Sequence, residues 1–204
     1  MGIFSNSSSI VRYLADGTLE KPLIDTVRER LKKFCINEIE DESFDKIIGW
    51  TLIDRPFNPN FDGSDFVFGP YFIFALRIDK KTIPSKLIKK HYSIQYSKEL
   101  IKTGRKYLSK DEKKLLKGNV IHGLGLRIPA TPNVYDVLWN YEEKIIYFLS
   151  SLKTANEEFE TLFLKTFNIP IIRLFPFTLS DLKMGLSDNE RDDLLKLTPT
   201  DFTG

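Results

Sequence analysis

The sequence is poor in the residues that build disulfides and soft-metal sites. Cys35 is its only cysteine, so no internal disulfide can form, which fits a reducing, cytoplasmic setting. Two histidines, His91 and His122, stand far from it and leave little material for zinc. No apolar run reaches the ~18–20 residues that span a bilayer. The opening MGIFSNSSSIVRYL lacks the basic and apolar regions of a secretory signal, and Asn6 stands where the myristoylation pattern needs Ser or Thr. These absences suggest a soluble cytoplasmic protein that needs no cofactor, but they do not say what it does.

Acidic residues are also scarce, in one place only. From Arg77 to Arg127 there are 15 Lys or Arg against 4 Asp or Glu, a segmental charge of +11, whereas the whole 204-residue chain carries +2. The remainder is therefore at −9, with 15 bases against 24 acids. Such segregation points to an anionic partner more strongly than the overall charge does.

The hydrophobic pattern places this segment between two similar halves. Residues 8–14 and 18–19 read as a strand bent at Asp16-Gly17, and Pro22 opens a helix to Phe34 carrying Leu23, Val27 and Leu31 at helical spacing. KIIGWTLI (46–53) reads as a strand, 55–65 as a loop, and FVFGPYFIFALRI (66–78) as a strand broken at Gly69-Pro70. After the basic segment come strands at 134–141 and 144–151, joined as a hairpin at Glu142-Glu143. A helix at 154–168 and a strand at 170–177 follow. Trp50 and Trp139 are expected in the core. The last stretch reads as a tail with a short helix near 187–196. The expectation is an α+β domain, an antiparallel sheet with β-α-β-β and β-β-α-β halves over 1–79 and 128–178. The segment 80–127 is inserted as a two-helix arm, and 179–204 follow as the tail.

Inside the arm, Pro84 is a favoured first helical position and Gly104 a stop. Ser109-Lys-Asp-Glu112 is a capping-box signature for a second helix reaching about Leu124. Lys110, Lys113, Lys114 and Lys117 recur at one-face spacing, Lys86, Lys89 and Lys90 cluster on the first helix, and Lys102, Arg105 and Lys106 gather at the turn. Like charges four apart oppose helix formation, and a face needing only solubility would intersperse Glu. Duplex DNA carries a phosphate charge about every 1.7 Å of axis, which suits such an arm. Phosphate contacts position without reading bases, so binding should ignore sequence and weaken with salt.

Ile83-Pro84-Ser85-Lys86-Leu87-Ile88-Lys89, the basic Ser109–Lys117 stretch and Val120-Ile121-His122 with Leu126-Arg127 resemble the recombination-associated RdgC family. Gly49-Trp50, Trp139 and Lys153-Thr154-Ala155-Asn156-Glu157 continue the likeness in order, from about residue 10 to 177. The resemblance implies a nucleoid-associated, sequence-independent duplex-DNA-binding protein. It implies a homodimer that restrains RecA-type recombinase filaments, with Lys86, Lys89, Lys113 and Arg127 as matching basic positions. Family members extend further at the C-terminus, in a region that helps close a ring around DNA.

Other chemistries have weaker footing. Asp65, then Asp79 and Lys81, formally fit the acid…acid-x-Lys arrangement of a metal-dependent nuclease. Phe66 to Phe74, with Tyr71, invite comparison with an RNA-binding aromatic strand but lack its Lys/Arg-Gly-Phe opening. His91 and His122 have no Ser, Cys or acid placed to complete a site. Glu38, Glu40, Asp41 and Glu42 form an acidic patch, and the basic arm could instead dock an acidic protein.

Overall fold

The structure is a computed structural model, and it describes residues 3, 7–37, 45–63 and 66–197. Its strands are β1 (Val11–Ala15), β2 (Lys46–Thr51), β3 (Val67–Phe68), β4 (Tyr71–Lys80), β5 (Thr131–Asn140), β6 (Ile145–Phe148) and β7 (Ile171–Leu174). Its helices are α1 (Leu23–Lys33), α2 (Ser85–Thr103), α3 (Lys110–Gly125), α4 (Lys153–Phe167), α5 (Pro176–Met184) and α6 (Asp188–Lys196). The class is α+β, as expected. The strand order is β2-β4-β5-β6-β1-β7, with β3 paired to β4. The pairings β1–β6, β1–β7, β3–β4 and β5–β6 are antiparallel. No helix among the described residues is long and apolar enough to cross a membrane.

The chain divides into two compact units, one of Met1–Cys35, Trp50–Leu76 and Tyr135–Gly204, the other of Ile36–Gly49 and Arg77–Val134. The first owes its core to aromatic residues at alternate strand positions. Tyr13, Phe72, Phe74, Trp139 and Phe148 are buried, and α4 meets them with Phe159, Phe163 and Phe167, spaced four apart on one helical face. Ring centroids lie 4.5 Å apart for Phe148–Phe159 and 5.1 Å apart for Trp139–Phe163, distances at which aromatic pairs attract. Polar atoms drawn into this core are mostly bonded. Trp50 Nε1 donates to Thr166 Oγ1 at 2.8 Å, and Asn156 Nδ2 donates to the carbonyls of Ser150 and Leu152. The Tyr13 hydroxyl reaches Asn156 Oδ1 at 2.6 Å and Glu160 Oε1 at 3.0 Å. Burial, then the Glu160 carboxylate, pushes the Tyr13 phenol well above its usual value.

The second unit holds α2 and α3 together with the adjoining ends of β2, β4 and β5. Lys81 N donates to the Asp45 carbonyl at 2.9 Å. Leu108, Val120 and Leu124 are buried in this unit, whereas α2 buries no residue fully.

Two local readings need correction. Residues 18–19 are not strand, because Asp16 N bonds the Pro170 carbonyl and the chain leaves the sheet at Ala15. Nor does the last strand run to 177. It stops at Leu174, and Pro176 opens a helix that the reading of 178 onward as tail passed over. α5 has no clear apolar stripe to announce it; its signals were Pro at the first position and Thr178, whose hydroxyl accepts from Phe175 N. The hairpin joining β5 and β6 and the helix at 188–196 stand where expected, but at Gly69-Pro70 the single strand read over 66–78 instead turns back, β3 pairing antiparallel with β4.

Candidate nucleic-acid interface

The arm's two helices run antiparallel because opposite ends of each meet. Arg105, just after α2, donates to Glu112 Oε1 at 3.0 Å in the first turn of α3. From the next residue of α3, Lys113 Nζ stands 6.0 Å from the centroid of Tyr96 on α2. Gly104 makes the reversal possible: its φ of 66° lies in the left-handed region that other residues rarely adopt. The capping box expected from sequence is formed, with Ser109 Oγ accepting from Glu112 N at 3.2 Å and Glu112 Oε2 accepting from Ser109 N at 2.8 Å. Those hydrogen bonds, with Arg105 nearby, hold the Glu112 carboxyl below its usual value.

Every basic residue singled out from the sequence is exposed: Lys86, Lys89, Lys90, Lys102, Arg105, Lys106, Lys110, Lys113, Lys114, Lys117 and Arg127. They do not form one surface. The sides of the two helices that burial marks as facing each other carry the half-buried Ile88, Tyr92, Tyr96 and Leu116 and the buried Val120 and Leu124. Helical spacing from those positions puts Lys86 and Lys89 on the same flank of the hairpin as Lys110, Lys113, Lys114 and Lys117. Lys90 is turned away from α3, while Lys102 and Arg127 belong to the opposite flank. Arg105 is bound to Glu112, and Lys102 lies 3.9 Å from Glu99.

None of the six lysines of the first flank has a carboxylate within 4.0 Å among the described residues. Lys86 also sits in the first turn of α2, where there is no acid. A cation at that end of a helix dipole costs about 0.3–1 kcal/mol. The flank is thus assembled against local helix preference. It carries the tyrosine pair Tyr92–Tyr96, stacked at 5.8 Å, at its inner margin.

The other candidate chemistries find little support in the geometry. Both Asp79 oxygens accept from Arg77, at 2.8 Å from Nε and 2.5 Å from Nη2, and both side chains are 7% exposed. A metal would have to displace a buried guanidinium to use that carboxylate. Asp65 lies outside the described residues, as do Glu38, Glu40, Asp41 and Glu42. Among the described residues no three His, Cys, Asp or Glu are grouped to hold a metal. Phe66, Phe72 and Phe74 are fully buried and offer no rings to stack on bases, whereas Phe68 is exposed and Tyr71 half-buried in the same stretch. His91 is half-buried beside α3, whereas His122 is exposed and spaced onto the side of α3 away from α2.

Sequence reasoning passed over Gln95, Asn119 and Gly123, which line the opposite flank together with His91 and Arg127. Their signal was the recurrence of polar or small residues at helical spacing on both helices, hidden by the louder lysine pattern. No family model and no curated protein matches the chain.

Proposed function

We propose that the protein binds double-stranded DNA without regard to sequence, through the lysine flank of the α2–α3 hairpin. The observation that carries this reading is the set Lys86, Lys89, Lys110, Lys113, Lys114 and Lys117, exposed on one flank with no acidic partner among the described residues. Lysine is a hydrated point charge suited to phosphate oxygens and carries no base code. The resemblance to RdgC proteins supports a nucleoid-associated homodimer that restrains RecA-type recombinase filaments.

The test is a mobility shift with random duplex across a salt titration. A shift at low salt that fades as salt rises is expected, and Lys110, Lys113, Lys114 and Lys117 changed together to Glu should remove most of it. Absence of any shift with micromolar protein at ~50 mM salt would reject the reading, since phosphate contacts are strongest there. It would leave an acidic protein as the partner of the arm. Degradation of linear duplex by the wild-type protein with Mg²⁺ would instead point to a nuclease.

A further inference from the structure

The flank of the hairpin away from the lysines holds an open groove of about 330 Å³, lying wholly between α2 and α3. Gln95 and His91 of α2 line one wall, and Asn119 of α3 and Arg127, just beyond its end, line the other. Leu116, Val120 and Leu124 supply an apolar strip. Gly123 lies on the groove, and a Cβ built on it would meet nothing within 4 Å. Its φ is not in the left-handed region and no neighbour presses on it. Neither backbone nor packing therefore requires glycine there, although glycine within a helix weakens it. What the missing side chain does is leave the groove open.

The lining differs in kind from a phosphate track. Two amides, each able to donate and accept, face an apolar strip, which is the pairing a planar, hydrogen-bonding ring system needs. The volume stands at the small end of ligand sites, about 300–1,000 Å³, and suits one ring system rather than several. Cations flank it: Arg127 lines one end, and helical spacing places Lys98 and Lys102 on the stripe of α2 that carries His91 and Gln95.

We infer that this groove takes one unpaired base of a single-stranded nucleic acid, with adjacent phosphates on Arg127 and on Lys98 or Lys102. Resting on the nucleic-acid reading above, the inference gives the arm two faces, a lysine flank for duplex phosphates and a groove for a single strand. A stacked duplex keeps its base faces covered and cannot fill the groove, whereas a single strand exposes both face and edge.

The experiment measures fluorescence anisotropy with three probes of equal phosphate number: a single strand, the same strand made abasic, and a matched duplex. Wild-type protein should hold the single strand at least about fivefold more tightly than its abasic form, as one accommodated base predicts. Gly123→Leu, which fills the groove and favours the helix, should erase that difference and leave duplex affinity unchanged. Gly118→Leu, equally unhindered on the opposite side of α3, should change neither. Gln95→Ala with Asn119→Ala should reduce the difference without filling space. Equal affinity for normal and abasic strands overturns the inference while duplex binding stands. So does a base preference that survives Gly123→Leu. Loss of all binding, duplex included, overturns the underlying reading.

Discussion

Gly49 shows how much one hydrogen in place of a methyl can decide. A Cβ there would lie 2.4 Å from the backbone Cα of Ile36 and 2.5 Å from its nitrogen, and backbone cannot swing aside as a side-chain tip can. Gly49→Ala should therefore cost about 1–3 kcal/mol or more of stability, read from the urea midpoint, as overpacking in a tight interior does. Asp136 offers a test by pH. It is buried with Oδ2 accepting from Ile3 N at 2.7 Å, and burial outweighs that bond and the N-terminal amine to push its carboxyl above the usual range. The folded state then binds the proton more tightly than the unfolded state. Its contribution is full below the unfolded value of about 3.9 and is lost as pH rises through the folded value. Asp136→Asn should accordingly raise the urea midpoint at neutral pH, and that advantage should shrink as pH falls toward the unfolded value of about 3.9. A lower midpoint for the variant at neutral pH would contradict this.

At the scale of elements, the arm depends on its caps as much as on its contacts. α2 buries no residue fully, so the pair leans on the Gly104 reversal and the reciprocal bonds of Ser109 and Glu112. Ser109→Ala should cost about 1 kcal/mol, the usual worth of such a cap, and show as faster amide exchange in the first turn of α3. Asp79 also matters at this scale, where β4 ends. Asp79→Ala would remove the carboxylate that accepts two hydrogen bonds from the buried Arg77 and is expected to cost about 1.5–3 kcal/mol, the usual worth of hydrogen bonds to a charged group. Lost nuclease activity in that variant would thus report unfolding as readily as chemistry, and the wild-type assay is the cleaner discriminator.

For the whole molecule, the segregation of charge sets the response to salt. The +11 of residues 77–127 is offset by −9 elsewhere, so net charge alone would predict little attraction to DNA. If the six lysines of one flank each neutralise a phosphate, the logarithm of affinity should fall against the logarithm of salt with a slope of about −5 per hairpin. A slope near −1 would mean that most of that flank does not touch the backbone. Sedimentation with and without duplex would show whether two hairpins act together, which would steepen the slope in proportion.

The sequence by itself determined the α+β class, most elements and the capping of α3. Period-two aromatic runs, the four-residue spacing of Phe159, Phe163 and Phe167, and the Ser109–Glu112 signature are local consequences of backbone geometry. It also marked the arm as the basic region. It could not tell that Lys102 and Arg127 face away from the other lysines, or that Arg105 is held by Glu112. Nor did it reveal the buried Arg77–Asp79 pair. Each depends on where a second element comes to rest, since a helical wheel has no front until something packs against it. Only the pairing of α2 with α3 turned one basic stretch into two different flanks, one of free lysines and one with an open groove at Gly123.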